Sequence, residues 1–230
     1  MRVLSAVEAD VRFQIKQGFY AVYVFLTLVY MIVLGQIPDK FHKIVVPIVV
    51  FSDPTIVGFF FIGGIVMLEK VQGVLDYVVV TPLRSMEYLA AKVISLSTLA
   101  IIAGFALTAM VYKGSVNYFL LIAGVLLSSV FFTLYGFIVA AGCRNINQYL
   151  LKSVPYMLFI VLPCFSLLGF EYSWVFSVFP SMAGLNIVYG AFNGVEAASA
   201  LAQIFYLIMF DIFMFFLVGK IFSEKIVYGG

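Results

Sequence analysis

Long apolar stretches alternate with short polar ones along almost the whole chain, as in proteins that cross a membrane several times. Each apolar stretch holds about the 20 residues that one membrane-spanning helix needs. The pattern predicts an all-α integral membrane protein that forms a single domain over residues 1–230. Its six predicted spans are residues 18–36, 44–68, 88–112, 118–142, 150–169 and 197–222.

Two further segments are apolar without being regular spans. Residues 1–17 carry apolar side chains at helical spacing and charged ones elsewhere, which predicts a helix lying in the membrane interface. The stripe consists of Val3, Leu4, Val7, Val11 and Ile15. Residues 171–194 are apolar and aromatic but broken by proline, glycine and asparagine. They predict a re-entrant or interfacial pair of short helices, because irregular backbone at membrane depth must pack on protein or line a cavity.

Residues 69–87 form a polar connector between the second and third spans. Six charged residues lie between positions 69 and 92. Apolar residues at spacings of three and four predict a short amphipathic helix after Glu69, and Thr81-Pro82 should end it. Ser85 as a polar cap, with Glu87 following, predicts that a helix restarts there. An ordinary polar loop with an amphipathic flank is the alternative.

Charge distribution indicates the orientation. Hydrophobic residues make up 64% of the chain, charged residues 10%, and the net charge is +2. Because this net charge is small and the sequence has no basic tract, we expect no nucleic-acid partner. Of the 13 Lys and Arg residues, only Lys40, Lys43 and Lys113 fall on the side away from the N terminus. The bias predicts a multi-pass protein of the cell membrane with both termini cytoplasmic, the connector inside and residues 171–194 outside.

Catalytic motifs are missing from the sequence. It has no GxxxxGK[ST], HExxH, CxxC or GxSxG motif, so we expect no catalytic site, metal or cofactor in this chain. The single histidine, His42, lies in a polar turn and is expected to be solvated. Asp53 and Asp211 fall inside predicted spans, where acids are candidate proton or cation sites or form structural hydrogen bonds between helices; for Asp53, solvation near the outer surface is a further alternative. They leave an ion-coupled secondary transporter open as an alternative.

Small residues in the fourth span recur at multiples of four. They are Gly124, Ser128, Gly136 and Ala140. Small side chains at this spacing let helices approach closely in lipid. Tight packing within the subunit and an interface between subunits both remain open.

The connector carries a more specific string, namely Glu69, Gly73, Leu75, Asp76, Thr81-Pro82-Leu83, Tyr88-Leu89 and Lys92. This string resembles the cytoplasmic connector of ATP-binding-cassette exporter permeases of the second type (the ABC-2 family), in particular fluoroquinolone export permease subunits. The N-terminal helix, the six spans and the broken segment before the last span match this family too, so the resemblance covers essentially the whole chain.

The resemblance implies a division of labour between subunits. The connector would be a coupling helix that docks on a separate ATPase subunit, and ATP and Mg²⁺ would be bound by that subunit. The residues that would carry coupling are Glu69, Lys70, Gly73, Leu75, Asp76, Tyr77, Thr81, Pro82 and Arg84. Residues 1–17 would be a connecting helix, and residues 171–194 would be re-entrant external helices.

The resemblance also implies a second permease half, either another copy or a related permease. A small amphipathic molecule such as a drug or antibiotic would pass between the halves. Candidate path residues are Phe59, Phe60, Phe61, Phe159 and Phe165. Exporters of lipid, peptide or polysaccharide share the fold, so these substrates are alternatives, and a membrane assembly or immunity protein without transport is a further one.

Overall fold

The fold comes from a computed structural model, which describes residues 2–74, 84–161, 164 and 174–224, without the side chains of residues 53–56, 174 and 175. The described part is helical and contains no strand. Its helices are α1 (Arg2–Lys16), α2 (Phe19–Gly35), α3 (Asp39–Val71), α4 (Ser85–Val111), α5 (Tyr118–Ala141), α6 (Ile146–Val161), α7 (Pro180–Asn193) and α8 (Ala197–Phe222), with a 3₁₀ turn at Trp174–Val178.

Four of these helices, α3, α4, α5 and α8, are long and apolar enough to cross a membrane. The bent pair of α1 and α2 adds a fifth candidate, with 68° between the two helices. The chain is therefore a multi-pass helical membrane protein. Helix α6 has only 16 residues, and most of the rest of the predicted fifth span lies outside the described residues. The layout with six spans thus stays a prediction.

The connector divides the bundle into two ends. We call the end where α3 finishes and α4 begins the connector end, and the other the opposite end. Helix α4 begins at Ser85 as predicted, but the capping position is Arg84 rather than Ser85. The carboxylate of Glu87 accepts a hydrogen bond of 2.8 Å from the backbone N–H of Arg84. This bond satisfies one of the N–H groups that a helix start leaves without a partner.

The expectation that His42 is solvated is wrong. Helix α3 begins five residues before the predicted span, so His42 lies in its first turns and is only 6% exposed. Its Nε2 lies 3.1 Å from the carbonyl oxygen of Leu34 at the end of α2. The imidazole is therefore a further donor to a carbonyl oxygen at the end of α2 that already accepts from the Ile37 N–H at 3.1 Å.

Helix α5 forms the centre of the bundle and approaches its neighbours closely. A Cβ added at Gly136 would come within 2.7 Å of the carbonyl oxygen of Phe59 in α3. A Cβ at Gly124 would come within 2.8 Å of Val188 in α7. The small residues of the fourth span therefore serve packing within the subunit at these two positions.

Helix α7 is almost entirely buried against α3, α5 and α8, although it has only 14 residues. Near its start, the Ser181 hydroxyl donates to the carbonyl oxygen of Ile160 at 2.6 Å. Near its end, the Asn193 amide donates to the carbonyl oxygen of Lys43 at 2.9 Å, at the opposite end of the bundle. A helix this short does not span a bilayer by itself, so α7 is an internal helix of the bundle.

Candidate functional site

Three helices meet in a buried group of charges at the connector end. The Lys92 ammonium of α4 pairs with the Glu69 carboxylate of α3, with Nζ 2.5 Å from Oε1, and with the Asp10 carboxylate of α1. All three side chains are at most 5% exposed. We call these three residues, together with Gln14, Tyr88 and Ser95, the ion cluster.

Each carboxylate oxygen of the cluster accepts at least one hydrogen bond. The Gln14 amide nitrogen donates to Asp10 Oδ2 at 2.6 Å and to Ser95 Oγ at 2.8 Å. The Ser95 hydroxyl donates to Asp10, and the Tyr88 hydroxyl donates to Glu69. Buried charges are tolerated when they are paired and hydrogen-bonded in this way. Counting these described side chains, the cluster holds two carboxylates and one ammonium.

Aromatic rings cover the ammonium. Lys92 Nζ lies 5.1 Å from the ring centroid of Tyr88 and 5.6 Å from that of Phe13, within the range of cation–π attraction. The Tyr88 ring in turn stacks on Phe222 at the end of α8, with centroids 4.9 Å apart. The end of α8 is thereby packed against the cluster as well.

Helical spacing assembles the cluster. Asp10 and Gln14 are four residues apart and share one face of α1, and Tyr88, Lys92 and Ser95 share one face of α4. Helix α1 therefore turns a polar face toward the bundle. The predicted apolar stripe lies partly on the outside, where Leu4 is 74% and Ile15 is 57% exposed.

The predicted coupling residues fall into three groups. Glu69 is buried in the cluster, so it presents no surface to a partner. Lys70 and Arg84 are exposed at the two described borders of the connector, and Gly73 adopts a left-handed backbone with φ of +68°. The other predicted residues lie outside the described part of the chain, namely Leu75, Asp76, Tyr77, Thr81 and Pro82.

The two predicted intramembrane acids differ in what the structure describes. Asp211 on α8 is 6% exposed, and neither of its carboxylate oxygens has a hydrogen-bond partner among the described residues. The backbone of Asp53 lies in α3, while its side chain is outside the described atoms. Within the described residues, no three His, Cys, Asp or Glu side chains are grouped to hold a metal ion.

The predicted path phenylalanines occupy different surroundings. Phe59 is fully buried and stacks on Tyr135, with centroids 5.7 Å apart. Phe60 is half-buried beside it. Phe61 packs edge-on against Phe19 and Tyr23 of α2, whereas Phe159 is 63% exposed on α6 and Phe165 lies outside the described residues. The described members of the set do not form one surface within the subunit.

Sequence reasoning missed the ion cluster as a unit. It singled out Glu69 and Lys92 in the connector string but not their partner on α1. The spacing of four between Asp10 and Gln14 was a signal for a shared polar face. Nothing in the sequence joined that face to Lys92, which lies 82 residues away.

The fold and the cluster define a helical multi-pass membrane protein whose N-terminal helix is ionically fixed to its first long hairpin. Comparison with known proteins gives the particular family. The family model of the fluoroquinolones export permease protein family matches residues 1–228, and the chain belongs to this family. It is therefore a membrane permease of an export system rather than an enzyme.

Two similar proteins are fluoroquinolones export permease proteins of Mycobacterium tuberculosis, from strains CDC 1551 / Oshkosh and ATCC 25618 / H37Rv. Each is 28% identical to this chain over 198 residues, which cover 86% of this chain and 84% of the relative.

Proposed function

We propose that this chain is the membrane-spanning subunit of an ATP-driven exporter. A separate ATPase subunit binds ATP and Mg²⁺ and docks on the connector, and two permease halves, identical or related, enclose the pathway. The chain has six spans in the cell membrane, with both termini and the connector in the cytoplasm. The observation that carries the proposal is the ion cluster, which joins both ends of the connector to α1.

The cluster pins the connector at its base. Glu69, near the end of α3, directly precedes residues 70–84 in the sequence, and Tyr88 and Lys92 follow them in α4. The contact between Glu69 and Lys92, at 2.5 Å, closes this segment into a loop with fixed ends. A force applied to the connector therefore moves the ends of α3 and α4 together, and it carries α1 with them through Asp10. A rigid-body displacement of this kind is a common way in which one subunit drives another.

Helix α3 extends this displacement across the bundle. Its 33 residues make it about 50 Å long. At its far end the carbonyl oxygen of Lys43 accepts a hydrogen bond from Asn193, the last residue of α7. Motion at the connector can thus reach the buried helix α7 at the opposite end. We propose that α7 and the preceding residues from 171 close the external side of the pathway.

Docking on the ATPase uses the exposed part of the connector. Lys70 and Arg84 are exposed at its two described borders, so they supply cationic contacts to the ATPase. We place the remaining contacts on Gly73, Leu75, Asp76, Tyr77 and the Thr81-Pro82 turn. Glu69 acts indirectly, because it holds the connector in place rather than touching the partner.

The cargo we propose is a small amphipathic molecule such as a drug or antibiotic. The two relatives are named for fluoroquinolone export, which supports this class. Because the described phenylalanines do not line one surface inside the subunit, a path that uses Phe60 or Phe159 must form between two halves. Lipid, peptide or polysaccharide cargo would fit the same fold.

An ion-coupled secondary transporter is the second candidate, and Asp211 is the observation that favours it. A carboxylate at the middle of a membrane helix without a hydrogen-bond partner among the described residues is costly unless it binds a proton or a cation. Under this candidate, transport would follow an ion gradient without ATP and would be lost in Asp211→Asn.

The test is assembly with an ATP-binding-cassette ATPase subunit from the same cell. We would copurify the two proteins and measure complex formation and ATP hydrolysis for wild type and for Lys70→Glu/Arg84→Glu. The control is Lys40→Glu/Lys113→Glu, which makes the same charge change at exposed positions of the opposite end. We expect the connector variant to lose assembly or hydrolysis and the control to match wild type. If the wild-type chain binds no ATPase, or if both variants behave alike, the proposal fails.

A further inference from the structure

Part of the surface of helix α1 faces away from the bundle and is exposed. The buried residues Asp10 and Gln14 define the direction toward the bundle. At about 100° per residue, the exposed apolar residues Leu4 and Ile15 lie about 110° around the helix from this direction. An exposed apolar face beside a membrane-spanning helix is suited to contact with lipid.

Charged residues occupy the remaining third of the helix. Arg2, Glu8, Arg12 and Lys16 are all exposed, and three cations against one acid give this face a net charge of +2. The charge of Asp10 does not reduce it, because that carboxylate is buried and paired with Lys92. The fold thereby makes the exposed surface of α1 more basic than its sequence suggests.

The bend between α1 and α2 gives the basic face its place relative to the membrane. Gly18 lies at the bend with φ of +82°, a backbone conformation that favours glycine, and the two helices differ in direction by 68°. If α2 crosses the membrane near its normal, α1 runs close to the membrane plane. The apolar face then enters the lipid while the basic face lies at the level of the headgroups.

We propose that α1 is a binding site for anionic phospholipid, with Arg2, Arg12 and Lys16 contacting the headgroup phosphates. A protein surface is a weaker fit for this face, because the exposed Leu4 and Ile15 border the charged face, with the Glu8–Arg12 pair at 2.5 Å next to them, and match an interface that is apolar on one side and anionic on the other. On a membrane that carries anionic lipid, each Lys or Arg near the surface raises the binding affinity about fivefold.

The ion cluster gives this lipid site a regulatory role, a step that rests on the proposed function. In the sequence of α1, Asp10 lies between Arg2 and Arg12. Its carboxylate forms an ion pair with Lys92, which also forms an ion pair with Glu69 at the start of the connector. Lipid that holds α1 in the interface therefore also holds the connector. Anionic lipid should for this reason raise the ATP-driven activity of the assembled exporter.

The binding step can be tested on this chain alone, so its outcome does not depend on the ATPase. The full chain in uncharged detergent is titrated with phosphatidylglycerol that carries a fluorescent acyl chain, and binding is followed by anisotropy. Fluorescent phosphatidylcholine is the comparison lipid. The test variant is Arg12→Gln/Lys16→Gln, and the matched control is Lys40→Gln/Lys113→Gln, which removes two exposed cations at the opposite end.

We expect wild type to prefer phosphatidylglycerol, and its affinity to fall as the salt concentration rises. The test variant should bind phosphatidylglycerol about 25-fold more weakly, whereas the control should bind it as wild type does. Circular dichroism of the variants establishes equal helix content. Equal binding of the two lipids by wild type, or equal affinity of the test variant and wild type, would overturn the proposal. Loss of ATPase assembly with unchanged lipid binding would overturn it in favour of protein docking on α1.

Discussion

Lys92→Met removes the ammonium group that Asp10 and Glu69 share and tests whether the ion cluster holds the connector end together. Methionine keeps most of the length and the apolar stem of the side chain, although it loses the cation–π contacts of Nζ with Phe13 and Tyr88. The packing around position 92 is therefore largely preserved. What changes is that two buried carboxylates lose their counter-charge, while their hydrogen bonds from Gln14, Ser95 and Tyr88 remain.

Two separate arguments give a similar magnitude for the free energy of unfolding that the variant loses. Removing one partner of a buried ion pair costs about 3–5 kcal/mol, because the other charge stays buried without compensation. Protonation of a carboxylate would remove its unpaired charge and so limit that cost. Neutralising an ordinary carboxylate at pH 7 costs about 4 kcal/mol, since its usual pKa is about 4 and each pH unit counts for about 1.4 kcal/mol. We therefore expect Lys92→Met to lower the free energy of unfolding by about 4 kcal/mol.

The measurement is an equilibrium unfolding titration of the full chain in mixed micelles with increasing sodium dodecyl sulfate. The triple variant Asp10→Asn/Glu69→Gln/Lys92→Met carries no charge in the cluster, and it should regain most of the lost stability. The triple variant leaves no buried charge without a counter-charge, and such an uncompensated charge is what makes the removal of one partner alone costly.

The control is Lys113→Met at the opposite end, where an exposed ammonium lies 3.5 Å from Asp39. Exposed pairs contribute about 0–1 kcal/mol, so this variant should differ little from wild type. If Lys92→Met were as stable as Lys113→Met, or if the triple variant were no more stable than Lys92→Met, the cluster would not fix α1 and α3 to α4.

Two further predictions follow from packing and burial. Gly136→Ala places a Cβ 2.7 Å from the carbonyl oxygen of Phe59, where the backbone cannot yield easily, so the variant should be less stable by about 1–3 kcal/mol in the same unfolding titration. The control is Gly142→Ala, where the atom nearest to the added Cβ is 3.6 Å away. Equal stability of the two variants would contradict the close approach of α3 and α5. Burial raises the pKa of the Cys143 thiol, although Lys152 and Lys70 act in the other direction, and the thiol is only 3% exposed. Because the thiolate is the reactive form, Cys143 should react with iodoacetamide at pH 7.5 more slowly in the folded chain than in the chain unfolded by detergent, and its rate should rise with pH; equal rates in both states would show that the thiol is accessible.

Hydropathy located the long helices well, because a span is an apolar run that ends where polar residues begin. The predicted last span, residues 197–222, coincides with α8, and the predicted fourth span ends one residue after α5. The fifth span was predicted to begin at residue 150, whereas α6 begins at Ile146 in the polar segment before it. Polar residues such as Asn147 and Gln148 belong to the helix there, and a hydropathy pattern does not detect helical residues that are polar.

Tertiary contacts set the features that the sequence did not predict. The burial of α7 depends on Gly124 and Gly184 meeting side chains of other helices, which no local pattern specifies. The inward turn of Asp10 depends on the bend at Gly18, because a different angle would direct the same polar face to water. Sequence periodicity states which residues share a face of a helix, but the path of the chain decides what that face meets.

The kind of interaction at the connector end fits the transmitting role that we propose for it. Apolar packing would stabilise the meeting of α1, α3 and α4 about as well, since buried ion pairs add little net stability. Apolar surfaces, however, tolerate sliding by a fraction of a side chain, whereas a carboxylate–ammonium contact of 2.5 Å fixes two helices to within a hydrogen-bond length. Lys92 makes such contacts with two helices at once. An arrangement that costs little stability and fixes the register of three helices suits the proposed transfer of a displacement from the connector into α1, α3 and α4.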